Sequence, residues 1–373
     1  MYDQKIALSS GAETGANVAR MWYNQFMVYS PKFTITPEIN NKIAQIERIR
    51  QIVVSSRILP QQEIILRHRA AIDAVHSSTT IEGNALKRLE VAKVLSGKLV
   101  NAPLRAITEV INYKKALDWL IKRQQQEEPI TIKDILRIHF LVMADLLPSE
   151  KVGRFRPGPI YIVDVKNGKD YLRYTGPKAD QVERLINGLL TWLNRQGKSL
   201  HPVLAAGIFH YEFVSIHPFT DGNGRVTRLL TLLFLRLNNY GFRDVLIPDT
   251  FYLQFRRQYY QALSQAKIYN RQRLADLTPW LDYFTWGFLT VAEELKNNIT
   301  LVALKKKSEK PIELSSAEIT LLDFCKTMGK LDLQTAIDIL EIPRRTAQRW
   351  LSRLVDKGLL TRKGKGKNIY YAC

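Results

Sequence analysis

One twelve-residue segment constrains this chain more tightly than any other. It joins a helical stretch from Pro202 to Ser215 to another from Asn223 to Leu237, and reads His217-Pro218-Phe219-Thr220-Asp221-Gly222-Asn223-Gly224-Arg225-Val226-Thr227-Arg228. Two glycines and an asparagine just before an apolar helix let backbone N–H groups converge on an anion, and the helix N-terminus adds partial positive charge. Arg225 and Arg228 lie three apart, on one face of the first helical turns. Cations are disfavoured at a helix N-terminus, so two of them there point to phosphate oxygens or a nearby acid. Asp221 beside such a nest suits Mg²⁺, which takes one or two carboxylates together with phosphates. His217 ends the preceding helix at the mouth of the loop. It is the side chain here whose ordinary pKa suits proton abstraction near neutral pH. An ordinary interhelical turn with solvated arginines would need none of this combination.

The rest of the chain is mainly helical. Apolar residues at Ile39, Ile43, Ile46 and Ile49 follow Pro37 at helical spacing. Further helices are expected from about Gln61 to Glu82, stopped by Gly83-Asn84, and from Leu104 to Gln125. Another begins at Thr131, where Asp134 completes a capping box. Others cover Ala179 to Leu193, Thr250 to Gln265 and Leu277 to Leu295. Between Ile160 and Tyr174 the period changes to two, and Lys166-Asn167-Gly168-Lys169 predicts a hairpin turn. Lys305 to Glu313, charged and containing Pro311, reads as a linker. After it, Ser315 and Glu318 open a helix to Met328. Leu333–Leu340 and a helix from Pro343 to Gly358 follow. Leu359–Arg362 and Asn368–Tyr371 then flank a Lys/Gly turn, giving a winged helix-turn-helix pattern.

Composition narrows the setting. The 373 residues suggest two or three domains, and 46% apolar residues suffice for buried cores. No apolar run reaches membrane-spanning length, so no membrane partner is expected. The first twenty residues do not read as a secretory signal. Two cysteines, Cys325 and Cys373, exclude a disulfide framework and point to a cytoplasmic setting. The net charge of +20 favours polyanionic partners. From Arg344 onward there are nine Lys or Arg against the single acid Asp356. That local excess could neutralise DNA phosphates. Winged helices also dock proteins, or a second copy of the same chain as a homodimer, and this alternative stays open.

The segment His217–Arg228 resembles the Fic-family signature, H-x-F-x-[DE]-G-N-[GK]-R-x-x-R, at every specified position, and the resemblance extends over roughly residues 35–300. It implies a Fic-type helical bundle with a β-hairpin flap, followed by the winged helix-turn-helix module. The implied activity is protein adenylyltransfer, in which AMP passes from ATP to a Ser, Thr or Tyr hydroxyl of a target protein or of the chain itself. On this resemblance His217 is the base, Phe219 fixes the loop and Asp221 holds Mg²⁺. ATP binding falls to Asp221, Gly222, Asn223, Gly224, Arg225, Val226, Thr227 and Arg228. Tyr260 is either the nucleobase contact or a core aromatic. Residues 78–83, Ser-Thr-Thr-Ile-Glu-Gly, resemble the [ST]-x-x-x-E-[GN] inhibitory helix, which implies that Glu82 pairs with Arg228 where the γ-phosphate belongs. The plainer alternative makes Glu82 a helix end. The hairpin is either a structural ribbon or the flap that holds the target segment.

The expected organisation is an N-terminal extension (1–34), a helical region with the inhibitory helix (35–125), a catalytic core (126–300), a linker (301–314) and the winged-helix domain (315–373). The rival function is a transcriptional regulator whose Fic body senses a nucleotide.

Overall fold

The computed structural model describes residues 29–56, 58, 60–166, 169–304, 314–328, 330–340, 342–364, 366 and 369–372. Most of the N-terminal extension, the Asn167-Gly168 turn and the 305–313 linker lie outside them. The chain divides into two compact units, residues 1–50, 72–242 and 246–292, and residues 51–71, 243–245 and 293–373. The helices in chain order are α1 (Pro37–Ser55), α2 (Pro60–Ile81), α3 (Arg88–Leu95), α4 (Leu104–Arg123), α5 (Ile132–Met143), α6 (Val182–Asn194), α7 (Pro202–Ile216), α8 (Asn223–Leu237), α9 (Asp249–Gln254), α10 (Arg256–Leu263), α11 (Tyr269–Gln272) and α12 (Thr278–Leu304). The hairpin β1 (Tyr161–Lys166) and β2 (Lys169–Thr175) stands between α5 and α6. No helix among the described residues is long and apolar enough to cross a membrane.

In the first unit α7 and α8 form the centre, and nearly every residue of both is buried. α7 is apolar on nearly all its faces and so has to be enclosed by other helices. Gly207 permits the close packing of α7 on α12: a Cβ there would lie 3.0 Å from Leu281 and Phe284, and the Trp280 indole N–H donates to its carbonyl at 2.7 Å. His201 caps α7 by accepting from the Val203 N–H at 3.3 Å. The Thr131–Asp134 capping box forms as the sequence predicts, with the Asp134 N–H donating to Thr131 Oγ1 at 3.3 Å and the Thr131 N–H to Asp134 Oδ2 at 2.8 Å. Asp134 also takes Arg123 Nε at 2.7 Å and Nη2 at 3.1 Å, with both side chains under a tenth exposed.

Two expectations change. The single helix from Thr250 to Gln265 is broken at Phe255, whose backbone leaves the helical region (φ −110°, ψ 41°). Its ring packs with Phe251 and Trp286, at centroid distances of 4.7 and 5.0 Å, and its carbonyl accepts from the Tyr283 hydroxyl at 3.4 Å. Tertiary packing thus overrides a helical pattern. The short α3, which the sequence did not reveal, is held by Glu90 reaching back to the Lys87 N–H at 2.8 Å.

In the second unit Arg243 donates to the carbonyls of Val53, Val54 and Ser56 at 2.9, 2.8 and 2.6 Å and pairs with Glu63 at 3.2 Å. The C-terminal residues form α13 (Ser316–Met328), β3 (Leu331–Asp332), α14 (Leu333–Leu340), α15 (Arg344–Asp356), β4 (Thr361–Lys363) and β5 (Tyr370–Ala372). The three strands are antiparallel in the order β3-β5-β4. β3 is an addition to the expected pair. Leu321, Leu331, Ala336, Leu351, Leu354 and Tyr371 make its core. Glu318 closes a capping box with Ser315 and pairs with Lys357 at 2.7 Å, and Gly358 ends α15 at φ +68°.

Removing one member of a buried pair leaves an uncompensated charge, which costs about 3–5 kcal/mol. Arg123→Ala should therefore lower the first unit's stability by about that amount through the stranded Asp134 carboxylate. Urea unfolding checks this, and a midpoint within error of wild type would show that water reaches the carboxylate.

Candidate active site

The loop between α7 and α8 is fixed from three sides. His217 ends α7 in the left-handed region (φ 51°, ψ 60°), and Gly222 starts α8 at φ +80°. Gly222 is required on a second ground, because a Cβ would lie 2.6 Å from the Met143 sulfur. The Asn223 amide closes the loop on itself: its Nδ2 donates to the Phe219 carbonyl at 2.8 Å and its Oδ1 accepts the Phe219 N–H at 2.9 Å. Phe219 is fully buried, stacked 3.8 Å from the His139 ring at an interplanar angle of 3°.

Two further residues hold the loop, and the sequence reading did not single out either. His139 Nδ1 accepts the Gly153 N–H at 2.9 Å, so the proton is on Nε2, which donates to the Asp221 carbonyl at 3.2 Å. Burial pushes the His139 pKa down to about 4, keeping the ring neutral. Arg156 is buried, and its guanidinium donates to three carbonyls: Nε to His217 at 2.8 Å, Nη1 to Gly158 and Nη2 to Pro177, both at 2.6 Å. Its own N–H donates to Pro218 at 2.9 Å. His139 lies on a helical pattern with nothing local to set it apart. Arg156 precedes the hairpin with no periodicity to mark it.

His217 Nδ1 lies 2.9 Å from the Val214 carbonyl. A carbonyl only accepts, so Nδ1 carries the proton and Nε2 is the basic nitrogen. Burial lowers the His217 pKa, against opposing influences from the Val214 carbonyl and the Glu82 charge. The ring is therefore neutral and able to take a proton at neutral pH. It lines an open cavity of about 210 Å³ together with Glu82, Asp221, Gly224, Arg228 and Tyr260.

Glu82 and Arg228 meet in this cavity. Glu82 Oε1 accepts from Arg228 Nη2 at 2.8 Å. Arg228 also donates from Nε to the Ser78 hydroxyl at 2.7 Å and from Nη2 to the Ser78 carbonyl at 2.9 Å. Asp249 Oδ2 stands 3.7 Å from its Nε. Burial works against the Arg228 charge. The neighbouring carboxylates, Glu82 first and then Asp249, more than offset this and hold its pKa above the ordinary arginine value. The Glu82 carboxylate also lies directly over the start of α8, since a Cβ on Gly224 would be 2.1 Å from Oε1. A carboxylate thus occupies the first turn of this helix, where the leading N–H groups attract an anion.

The remaining residues divide. Asp221 Oδ1 accepts the Gly222 N–H at 2.5 Å and faces Arg225 Nη2 at 3.4 Å, and its Oδ2 faces Arg105 Nη2 at 3.5 Å. Arg225 does not line the cavity with Arg228. It turns toward Glu109, at 3.7 Å, and lines a second space that Glu82 and Asp221 also border. Val226 and Thr227 are fully buried, and the Thr227 hydroxyl donates back to the Asn223 carbonyl at 2.7 Å. Their side chains belong to the core. Tyr259 and Tyr260 both border the cavity but sit differently. Tyr259 is buried, with its hydroxyl 2.8 Å from His210 Nε2, while Tyr260 stands between the guanidinium groups of Arg173 and Arg256, 5.3 and 5.7 Å from its ring centre. Arg173 comes from β2, and its Nη2 also donates to Ser264 Oγ at 3.3 Å. The hairpin pairs Tyr161 with Thr175 and Lys166 with Lys169, with a register shift at Ile162/Val163, and leaves Tyr161, Val163, Tyr171 and Leu172 exposed.

Residues 129–235 match the model of the Fic/DOC family. The chain is 32% identical over 213 residues to a protein adenylyltransferase Fic of Nematostella vectensis, covering 56% of this chain and 45% of that protein. It is 32% identical over 238 residues to a protein adenylyltransferase Fic of Drosophila grimshawi, covering 61% and 46%. The chain thus spans less than half the length of these curated relatives. Its structure is similar to that of a Fic family protein from Desulfovibrio desulfuricans G20, with a TM-score of 0.62, 27% identity, and coverage of 92% of this chain and 98% of that one. Fic-1 of C. elegans shares the fold, with a TM-score of 0.56, 23% identity, and coverage of 81% and 80%. The chain therefore carries a Fic domain, built around the His217–Arg228 loop, and is a homologue of the Fic-family protein adenylyltransferases.

Proposed function

We propose that the chain is a protein adenylyltransferase that moves AMP from ATP to a hydroxyl of a target protein or of itself, held in check by Glu82. The observation that carries this reading is the neutral His217 with its Nε2 unprotonated, in one cavity with a buried arginine and a helix N-terminus. ATP fits by its phosphates at the first turn of α8, with Tyr260 beside the base. The target hydroxyl gives its proton to His217 Nε2. Its oxygen bonds to the α-phosphorus, the bond from that phosphorus to the bridging oxygen breaks, and pyrophosphate leaves. Asp221 suits Mg²⁺, being a single carboxylate, 42% exposed, next to the phosphate cradle. Bound there with the nucleotide, Mg²⁺ would neutralise phosphate charge. Arg105 and Arg225 steady the Asp221 carboxylate, and Arg156 and His139 hold the loop so that His217 keeps its aim. The exposed edge of the hairpin offers main-chain pairing to an extended target segment.

Inhibition follows from the same geometry. Glu82 and a γ-phosphate are both anions competing for Arg228 and the start of α8. While the carboxylate is there, a nucleotide can bind only with its phosphates displaced. Ser78 and Glu82 stand at the first and fifth positions of the inhibitory-helix pattern, and both bond to Arg228.

A second activity is favoured by α13, α14, α15 and the three-stranded sheet, which we propose form a winged helix-turn-helix module. Arg345, Arg349 and Arg353 on α15, together with Arg362 and Lys363 on β4, make one strongly basic element set suited to DNA phosphates. This reading makes the chain a regulator as well as an enzyme, with its modules at about 126–300 and 315–373.

Three outcomes test these readings. His217→Ala should lower AMP incorporation by about 10²–10⁴-fold while ATP binding persists; near-wild-type incorporation would remove His217 from the reaction. Glu82→Gly should raise incorporation of label from α-labelled ATP, including into the chain itself, by roughly 10²-fold through better phosphate alignment. Unchanged incorporation in the folded variant would reduce Glu82 to a helix end. The full chain should bind duplex DNA with an affinity that falls by about 10³ or more between low and moderate salt if about six phosphates are contacted. No binding at low salt would assign the module to protein docking.

A further inference from the structure

We propose that Asp249 is a positioning residue for Arg228, the fixed counter-charge that keeps the guanidinium buried and aimed at the start of α8 when Glu82 withdraws. The inference rests on the reading that Glu82 and a phosphate exchange places on Arg228.

Arg228 is 1% exposed and cannot shed its proton. A buried cation without a counter-charge is strongly unfavourable. Two carboxylates serve it, and they differ in kind. Glu82 hydrogen-bonds at 2.8 Å, is 30% exposed and sits at the end of α2, where Gly83 (φ +100°) turns the chain. It can rotate into the cavity and on to solvent. Asp249 stands farther off, at 3.7 Å, but is 9% exposed and anchored, with its Oδ2 accepting from the Tyr113 hydroxyl at 3.3 Å. Tyr113 is itself buried, which raises its pKa and keeps the phenol a donor. Asp249 has no route out.

The charge count then explains why two acids are present. With Glu82 in place, Arg228 faces two anions. With Glu82 withdrawn and no nucleotide bound, Asp249 still balances it. With a phosphate bound, two anions face it again. Without Asp249, the withdrawn state would hold a bare buried cation. Arg228 would then either swing away or pull Glu82 back.

The test is a thermal-melting cycle on the full chain without nucleotide, using wild type, Glu82→Gly, Asp249→Asn and the double variant. Removing both counter-charges should lower the melting temperature by at least about 5 °C more than the sum of the two single shifts. Adding Arg228→Met to the double variant should recover most of that excess. Additive shifts would overturn the proposal, because a carboxylate that only anchored α9 and Tyr113 would cost the same in either background. If the double variant does not fold, the Arg228→Met triple decides: recovery of folding supports the proposal and failure to recover overturns it. In parallel, the preference for ATP over AMP, measured by calorimetry, should fall about tenfold from Glu82→Gly to the double variant, and an unchanged preference in a folded double variant counts against the proposal. If Glu82→Gly alone shows no such preference, the phosphate-exchange reading fails, and the melting cycle still decides the role of Asp249.

Discussion

A guanidinium that cannot lose its charge, placed where water cannot reach it, obliges the chain around it to supply anions and acceptors. Arg228 does this to the first unit. Its hydrogen bonds go to Ser78 and Glu82 at the end of α2, and its more distant counter-charge, Asp249, comes from α9. Two segments from elsewhere in the sequence are thereby drawn to one side chain. The same side chain faces the N-terminal turn of its own helix, where another anion is welcome. The packing of these segments thus depends on one charge.

The loop beside Arg228 is held by bonds to its backbone. Asn223, His139 and Arg156 each satisfy main-chain groups between His217 and Asp221. Such bonds fix the path of the loop irrespective of what its side chains do. They leave the imidazole, the Asp221 carboxylate and the first N–H groups of α8 facing the cavity. Neutral His139, depressed to a pKa of about 4 by burial, suits this duty because its two nitrogens take fixed and different roles. Protonation would turn the acceptor that receives the Gly153 N–H into a donor.

The C-terminal residues obey a different economy. Their core is small, made by apolar residues from three short helices and a sheet, and one internal acid, Glu318, ties a helix cap to Lys357 and Arg353. Most of the basic side chains stay outside that core.

Much of this was legible in the sequence because it is local. Helices α8, α13 and α14 have the expected bounds, the capping boxes at Thr131 and Ser315 form, and Gly83 and Gly358 turn in the left-handed region. Hydrophobic period, caps and glycine conformations act over a few residues, so a pattern can declare them. The twelve-residue segment declared its loop and helix start in the same way. What tertiary structure alone decided is which side chains meet. Arg225 and Arg228 share a helical face in sequence, yet acids from different helices draw them into different spaces. Tyr259 and Tyr260 are adjacent and both border the cavity, yet one is buried with its hydroxyl on His210 and the other stands between two guanidinium groups. Arg156, His139 and Asp249 carry no local signature, because their partners lie across the chain at separations of 61, 82 and 21 residues. A one-dimensional pattern records what a residue prefers beside its neighbours. The partner of a buried charge is set by which segments fold together to neutralise it.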